Sequence, residues 1–184
     1  FKTRSRVSAD QLASARLAWE AFRSSNPTEI ESFLVRDTAV LPFMGPALRR
    51  HLQQFPSVRN GLGRTENEIL EVLAEGPAPA AAVFEQTNER EEAPFMGDAP
   101  FWIHLERLAG GARPAVRFEG EGVDDRFPGR VVTLTHDANA LLHGKGDFVR
   151  WNGIDRWLGG VHLAGDDAKW RWNEQTSRLC RGRI

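Results

Sequence analysis

TENEILEVLAEGP, Thr65 to Pro77, carries the start, body and stop of one helix. Thr65 with Glu68 three residues on has the form of a capping box, in which a hydroxyl and a carboxylate each satisfy a free backbone N–H. Ile69, Val72 and Leu73 then recur at helical spacing, and Gly76 with Pro77 ends the pattern. Downstream, Pro79 to about Glu89 predicts a second short helix through Val83 and Phe84. Asp98 predicts the cap of a third, with Phe101, Leu105 and Leu108 inward and Gly110 and Gly111 closing it. Strands are expected over Pro114 to Glu119, where Val116 and Phe118 alternate, and over Arg130 to Thr135, rich in β-branched residues. A charged loop, Gly120 to Gly129, joins them. Three helices followed by a two-stranded hairpin is the winged-helix order, so residues 64–144 are expected to form a winged-helix-like segment.

Upstream, Ser8 with Gln11 predicts a capping box, and Leu12, Ala15, Trp19 and Phe22 form an inward stripe on a helix ending near Arg23. Asn26 before Pro27 predicts the next start, with Ile30, Phe33 and Leu34 apolar. A third helix from about Pro46 turns Leu48, Leu52 and Phe55 inward and stops at Pro56. Residues 1–63 thus read as a three-helix lobe. Residues 145–184 hold four of the six tryptophans, Trp151, Trp157, Trp170 and Trp172. Trp157 to Leu163 is expected to pair with Lys169 to Trp172 through the turn residues Gly165, Asp166 and Asp167, packing Trp157, Trp170 and Trp172 against the first lobe. The class is α+β, mainly helical, with a C-terminal tryptophan-rich β-hairpin.

With 41% hydrophobic and 27% charged residues in 184, the chain has the composition of a folded domain. No apolar run nears the roughly 18 residues that cross a bilayer, and no export signal stands at the start. A lone Cys180 fits a reducing compartment, so a cytoplasmic location is expected. Cys180 sits in a basic tail with Arg178, Arg181 and Arg183, but chain ends are poor places for a nucleophile. Phe1 in place of Met, followed by Lys2, Arg4 and Arg6, is what a piece of a longer protein would show. The net charge of −1 divides into +4 over residues 1–63, −8 over 64–144 and +3 over 145–184, a partition expected to reflect segments docking on one another.

Two groups of polar residues are candidate sites. Arg50 and His51 follow Arg49 on the third helix, with Asn60 in the loop beyond. An imidazole among cations would bind an anion and move a proton; the structural alternative is a solvated helix face. Asp147, Asp155, Arg156 and His162 flank the tryptophans, where Gly153, Gly159 and Gly160 permit close backbone approach. An Asp within reach of a His makes a general base with its orienting partner, unless Asp155 and Arg156 only brace the hairpin. His136, His143 and Asp147 lack the tight spacing of zinc ligands, so no metal and no cofactor are expected. No GxxxxGK, GxSxG or GxGxxG motif occurs. Duplex DNA is an unexpected partner: the third helix of the winged-helix-like segment offers Arg107 and His104 against Asp98 and Glu106, and its wing adds Glu121, Asp124 and Asp125 against Arg126.

AWEAF (Ala18–Phe22), LPFMGPALRRHL (Leu41–Leu52), FPSVRNGLGRTENEIL (Phe55–Leu70), FMGD (Phe95–Asp98), NGIDRWLGGVHL (Asn152–Leu163) and WRW (Trp170–Trp172) together resemble a bacterial protein family catalogued as a domain of unknown function. The resemblance spans nearly the whole chain, and NGIDRWLGGVHL is its most specific part. It implies a two-part protein whose N-terminal half, rich in His, Asp and Glu, is absent from this sequence. It also implies a glycine in the turn into the short helix near Asp137 to Ala140. Asn139 stands there, and asparagine tolerates positive φ. Because no complete catalytic constellation is visible, the expected role is a non-catalytic interaction or accessory module, partnered by that N-terminal half or by a second copy. The alternatives are half of a shared enzyme site and a winged-helix DNA-binding regulator.

Overall fold

The computed structural model describes residues 6–119 and 129–182. Most of the anticipated wing loop, together with Lys2, Arg4 and Arg183, lies outside the described residues. The fold is α+β. Among the described residues no helix is long and apolar enough to cross a membrane.

Helix α1 (Ala9–Phe22) opens on the expected capping box: Gln11 N–H donates to Ser8 Oγ at 3.1 Å, and Ser8 N–H donates to Gln11 Oε1 at 3.0 Å. Its inward stripe is not the expected one. Ala18 and Ala21 are buried, whereas Leu12 and Trp19 face solvent. The small alanines let α1 lie close against α2 (Thr28–Leu34), a contact that the larger side chains would hold apart. In α2 the start is shifted by one residue: Pro27 takes the cap position, and Asn26 Oδ1 accepts from the Thr28 hydroxyl at 3.0 Å. Helix α3 (Met44–Leu52) buries Leu48 and Leu52, with Phe55 fully buried just beyond.

Helix α4 (Arg64–Leu73) begins earlier than Thr65. Gly63 is its cap residue, and Glu66 Oε2 accepts the Gly63 N–H at 2.6 Å. Thr65 therefore caps nothing; its hydroxyl accepts from Arg50 Nη2 at 2.8 Å and Gln54 Nε2 at 3.1 Å. A two-residue strand, β1 (Ala78–Pro79), precedes α5 (Ala80–Glu89) and α6 (Asp98–Ala109). Gly97, not Asp98, holds the α6 cap position, and Asp98 is its first helical residue. Strands β2 (Val116–Glu119) and β3 (Val131–Leu134) pair antiparallel with Phe118 opposite Val132. β1 adds to the other edge of β3, giving a three-stranded sheet of order β1-β3-β2. Helix α7 (His136–Leu142) contains Asn139 in ordinary helical backbone; among the described residues the only non-glycine with positive φ is Ser177. The positive φ considered for Asn139 is thus not needed, because the helix starts at His136, before it.

After α8 (Phe148–Asn152) the chain forms two hairpins rather than one: β4 (Ile154–Leu158) with β5 (Val161–Gly165), and β6 (Trp170–Asn173) with β7 (Arg178–Arg181). The expected pairing of Trp157–Leu163 with Lys169–Trp172 fails because Gly159, at φ +58°, reverses the chain at once, so that Trp157 faces His162. Asp166 and Asp167 connect the two hairpins instead of closing one.

Two apolar cores result. One is built around α4, α5, α6, α7 and the three-stranded sheet, including Ile69, Val83, Phe101, Leu105, Val132 and Leu141. The other joins the first three helices to the C-terminal hairpins through Phe33, Leu52, Phe55, Leu163, Trp170 and Trp172. Trp170 and Trp172 share the apolar face of β6, while Arg171, between them, is fully buried on the other. Trp157 does not join this core: it is 66% exposed on the outer face of β4. Two buried ion pairs, Arg50–Glu91 and Arg156–Glu66, run from the two basic segments into the acidic middle one. The charge partition is therefore spent partly inside the molecule.

Candidate functional site

The seven candidate residues do not converge on one site. Arg50 and His51 lie together on α3. The Arg50 guanidinium grips Glu91: Nε lies 3.0 and 2.8 Å from the two carboxylate oxygens, and Nη2 donates to the same group and to Thr65. The Phe95 ring covers it, 5.2 Å away. A carboxylate so engaged leaves Arg50 no free charge for a second anion. His51 packs its ring against Phe22 at 4.9 Å and Phe55 at 6.2 Å, and burial lowers its pKa below the usual 6.5, favouring the neutral imidazole. Among the described residues it has no carboxylate partner, so the cation-assisted proton transfer envisaged for this pair has no second member there.

What this place does form is a cleft of about 430 Å³ between α3 and the segment after α5, walled by Phe43, Pro46, Pro94 and Phe95. Phe43 is 85% and Phe95 57% exposed. Beside these apolar walls Arg50 Nη1, His51 Nε2 and Gln54 Oε1 are buried without a hydrogen-bond partner among the described residues. Orphaned polar atoms are rare in folded proteins because each forfeits its hydration for nothing, and here three gather at one cleft.

Arg156, on β4, is buried against Glu66 of α4, Nη1 to Oε1 at 2.8 Å, and His104 Nδ1 lies 3.3 Å from the same oxygen. Burial would raise the Glu66 carboxyl, but Arg156, His104 and the Gly63 N–H outweigh it and hold it well below the ordinary carboxylate range.

Asp155 and His162 meet as their spacing allowed, with Oδ1 and Nε2 2.7 Å apart. Trp157 stacks on the His162 ring, centroids 4.7 Å apart and planes 9° off parallel. The group stands in solvent on the outer face of the β4–β5 hairpin, where an exposed ion pair contributes little and water would compete with any substrate proton. Asp147 is elsewhere, buried against Arg171 and accepting the Arg150 N–H at 3.1 Å as the cap of α8. Asn60 is also structural: its amide donates to Asn67 Oδ1 and the Leu141 carbonyl and accepts the Leu62 N–H. Asp147, Asp155, Arg156 and His162 thus do not share one pocket.

Cys180 is held above its ordinary pKa by burial, which leaves it a weak nucleophile. His143 bonds the Asn139 carbonyl within its own helix, and among the described residues no three His, Cys, Asp or Glu side chains converge as metal ligands. Sequence reasoning passed over Glu66, Glu91 and Phe95. Glu66 is visible only as an acid in a helix first turn; Glu91 and Phe95 lie in an irregular stretch with no periodic signal.

The geometry defines an α+β protein with an apolar surface cleft and no assembled catalytic constellation among its described residues. Comparison with protein-family models, with curated proteins and with solved structures finds nothing that matches this chain.

Proposed function

We propose that this chain is a non-catalytic interaction module, an accessory part of a larger bacterial cytoplasmic protein, and that it docks through the cleft between α3 and residues 91–95. The observation that carries the reading is the pair Phe43 and Phe95, large aromatic side chains left open to water on either side of an apolar cleft. Exposed aromatics grouped with desolvated polar atoms have the character of a binding hot spot. The occupant in this reading is folded polypeptide: the N-terminal half implied by the family resemblance, or a second copy. A winged-helix reading of α4 to β3 finds support in the sheet order β1-β3-β2, but α6 exposes a single arginine, Arg107, against Asp98 and Glu106, too little positive charge to follow a nucleic-acid backbone.

The test substitutes Phe43→Ser and Phe95→Ser together. Self-association is followed by sedimentation velocity, and binding of a family member's N-terminal half, added in trans, by calorimetry. Association in one arm that the double variant loses supports the reading. Association in neither arm, or association that survives the substitutions, overturns it.

A further inference from the structure

On another face of the molecule, α4, α6 and the α8–β4 junction enclose a cleft of about 250 Å³, lined by Glu66, Arg107, Phe148, Asn152, Ile154 and Arg156. Two guanidinium groups face it against the single buried carboxylate of Glu66. Arg156, its side chain only 8% exposed, spends Nη1 on that carboxylate, but its buried Nε has no hydrogen-bond partner among the described residues. Arg107 has no ion-pair or hydrogen-bond partner among the described residues. Burial, and then the neighbouring Arg156, pull its pKa below the ordinary value. The other acid at the rim, Asp155, is turned to His162. The walls are held in place: Asn152 accepts the Arg113 N–H at 2.8 Å and donates to the Arg113 carbonyl at 3.0 Å, pinning the loop after α6 to α8. Gly111, at φ +86°, belongs to the lining because a Cβ there would stand 2.4 Å from Asn152 Oδ1, and Gly153, at φ +74°, makes the turn from α8 into β4.

We propose that this cleft is a binding site for a small oxyanion, a carboxylate or phosphate group carried on a molecule no larger than a small metabolite. An exposed guanidinium with no ion-pair partner among the described residues, set beside the buried one of Arg156, is a like-charge arrangement that an anion relieves. The planar N–H forks match the oxygens of carboxylate and phosphate. The volume falls a little below the usual range of ligand pockets, which favours a small ligand, and Phe148 and Ile154 offer an apolar wall for its carbon part.

Calorimetry at low ionic strength with inorganic phosphate and with malonate separates the two sources of the oxyanion. It is run on the wild type, on Arg107→Gln and on Arg117→Gln, the last removing an exposed arginine away from the cleft. Saturable one-to-one binding of one anion is expected, weakened about tenfold or more by Arg107→Gln, as loss of a charge-assisted hydrogen bond predicts, and unchanged by Arg117→Gln. The unliganded Arg107→Gln protein should melt no lower than the wild type, because it loses a like-charge neighbour of Arg156. Absence of saturable binding for both anions overturns the proposal. So does equal affinity in Arg107→Gln, equal weakening by Arg117→Gln, or a lowered melting temperature of the unliganded Arg107→Gln protein.

Discussion

Arg171 Nη1 lies 2.9 Å from Asp147 Oδ2 with both side chains buried, the arginine completely. Arg171 also donates to the Ser57 carbonyl at 3.2 Å, and Asp147 caps α8, so the pair ties strand β6 to the loop before α4 and to the start of α8. Truncating either partner strands a charge in the interior. Asp147→Asn and Arg171→Met should each cost about 3–5 kcal/mol, and the double change less than their sum. Urea denaturation of the three variants measures this; strictly additive losses would deny the pairing.

Trp172→Ala should cost about 3–5 kcal/mol, because the ring belongs to the core shared by the first three helices and the hairpins. Trp157→Ala should cost no more than about 1 kcal/mol, since only its stack on His162 is lost. Melting temperatures compared side by side check the contrast, and equal losses would contradict it.

The turn Gly159–Gly160 docks on the end of α1, where Gly160 N–H donates to the Phe22 carbonyl at 2.9 Å. A Cβ at Gly160 would stand 1.9 Å from the Arg23 carbonyl oxygen and 2.7 Å from that of Ser24. Gly160→Ala should therefore destabilise by about 1–3 kcal/mol as the hairpin is pushed off the helix, visible as faster amide exchange in β4 and β5. A wild-type stability and exchange pattern would refute the docking.

His51 gives a signed pH dependence. Its folded pKa lies below 6.5, so as pH falls through 6.5 the unfolded chain takes up a proton that the folded one refuses. Stability contributed by this group is complete above that value and declines below it. The fall in melting temperature between about pH 7.5 and pH 5.5, the range where histidine titrates, should be smaller in His51→Phe, which keeps an aromatic ring against Phe22 and Phe55. An identical fall in both proteins would show that His51 is not the cause.

Some local signals were legible, namely the Ser8–Gln11 box, the common face of Trp170 and Trp172, and the meeting of Asp155 with His162, whereas the caps read at Thr65 and Asp98 fall to Gly63 and Gly97, glycines with no side chain to announce them. Strand β1 is two residues long and carries no pattern to read. Period two places Arg171 opposite the tryptophans, where solvent is the default for an arginine. Its pairing with Asp147, 24 residues away, together with its bond to the Ser57 carbonyl, explains its burial. The candidate clefts were hidden for the same reason. Glu91 lies 41 residues from Arg50, and Glu66 lies 90 from Arg156. An apolar stripe such as Leu12 and Trp19 reads as inward unless the alanines on the next face are seen to be the better packing surface.

Photocrosslinking addresses the interaction module most directly. A photoreactive phenylalanine analogue replaces Phe95 at the cleft or, as a control on a different exposed face, Trp157. Irradiation in cells should give a discrete product from position 95 whose added mass is one polypeptide, either a second copy or the N-terminal half, and none from position 157. Absence of a product at 95, or the same products from both positions, would contradict the docking role of the cleft.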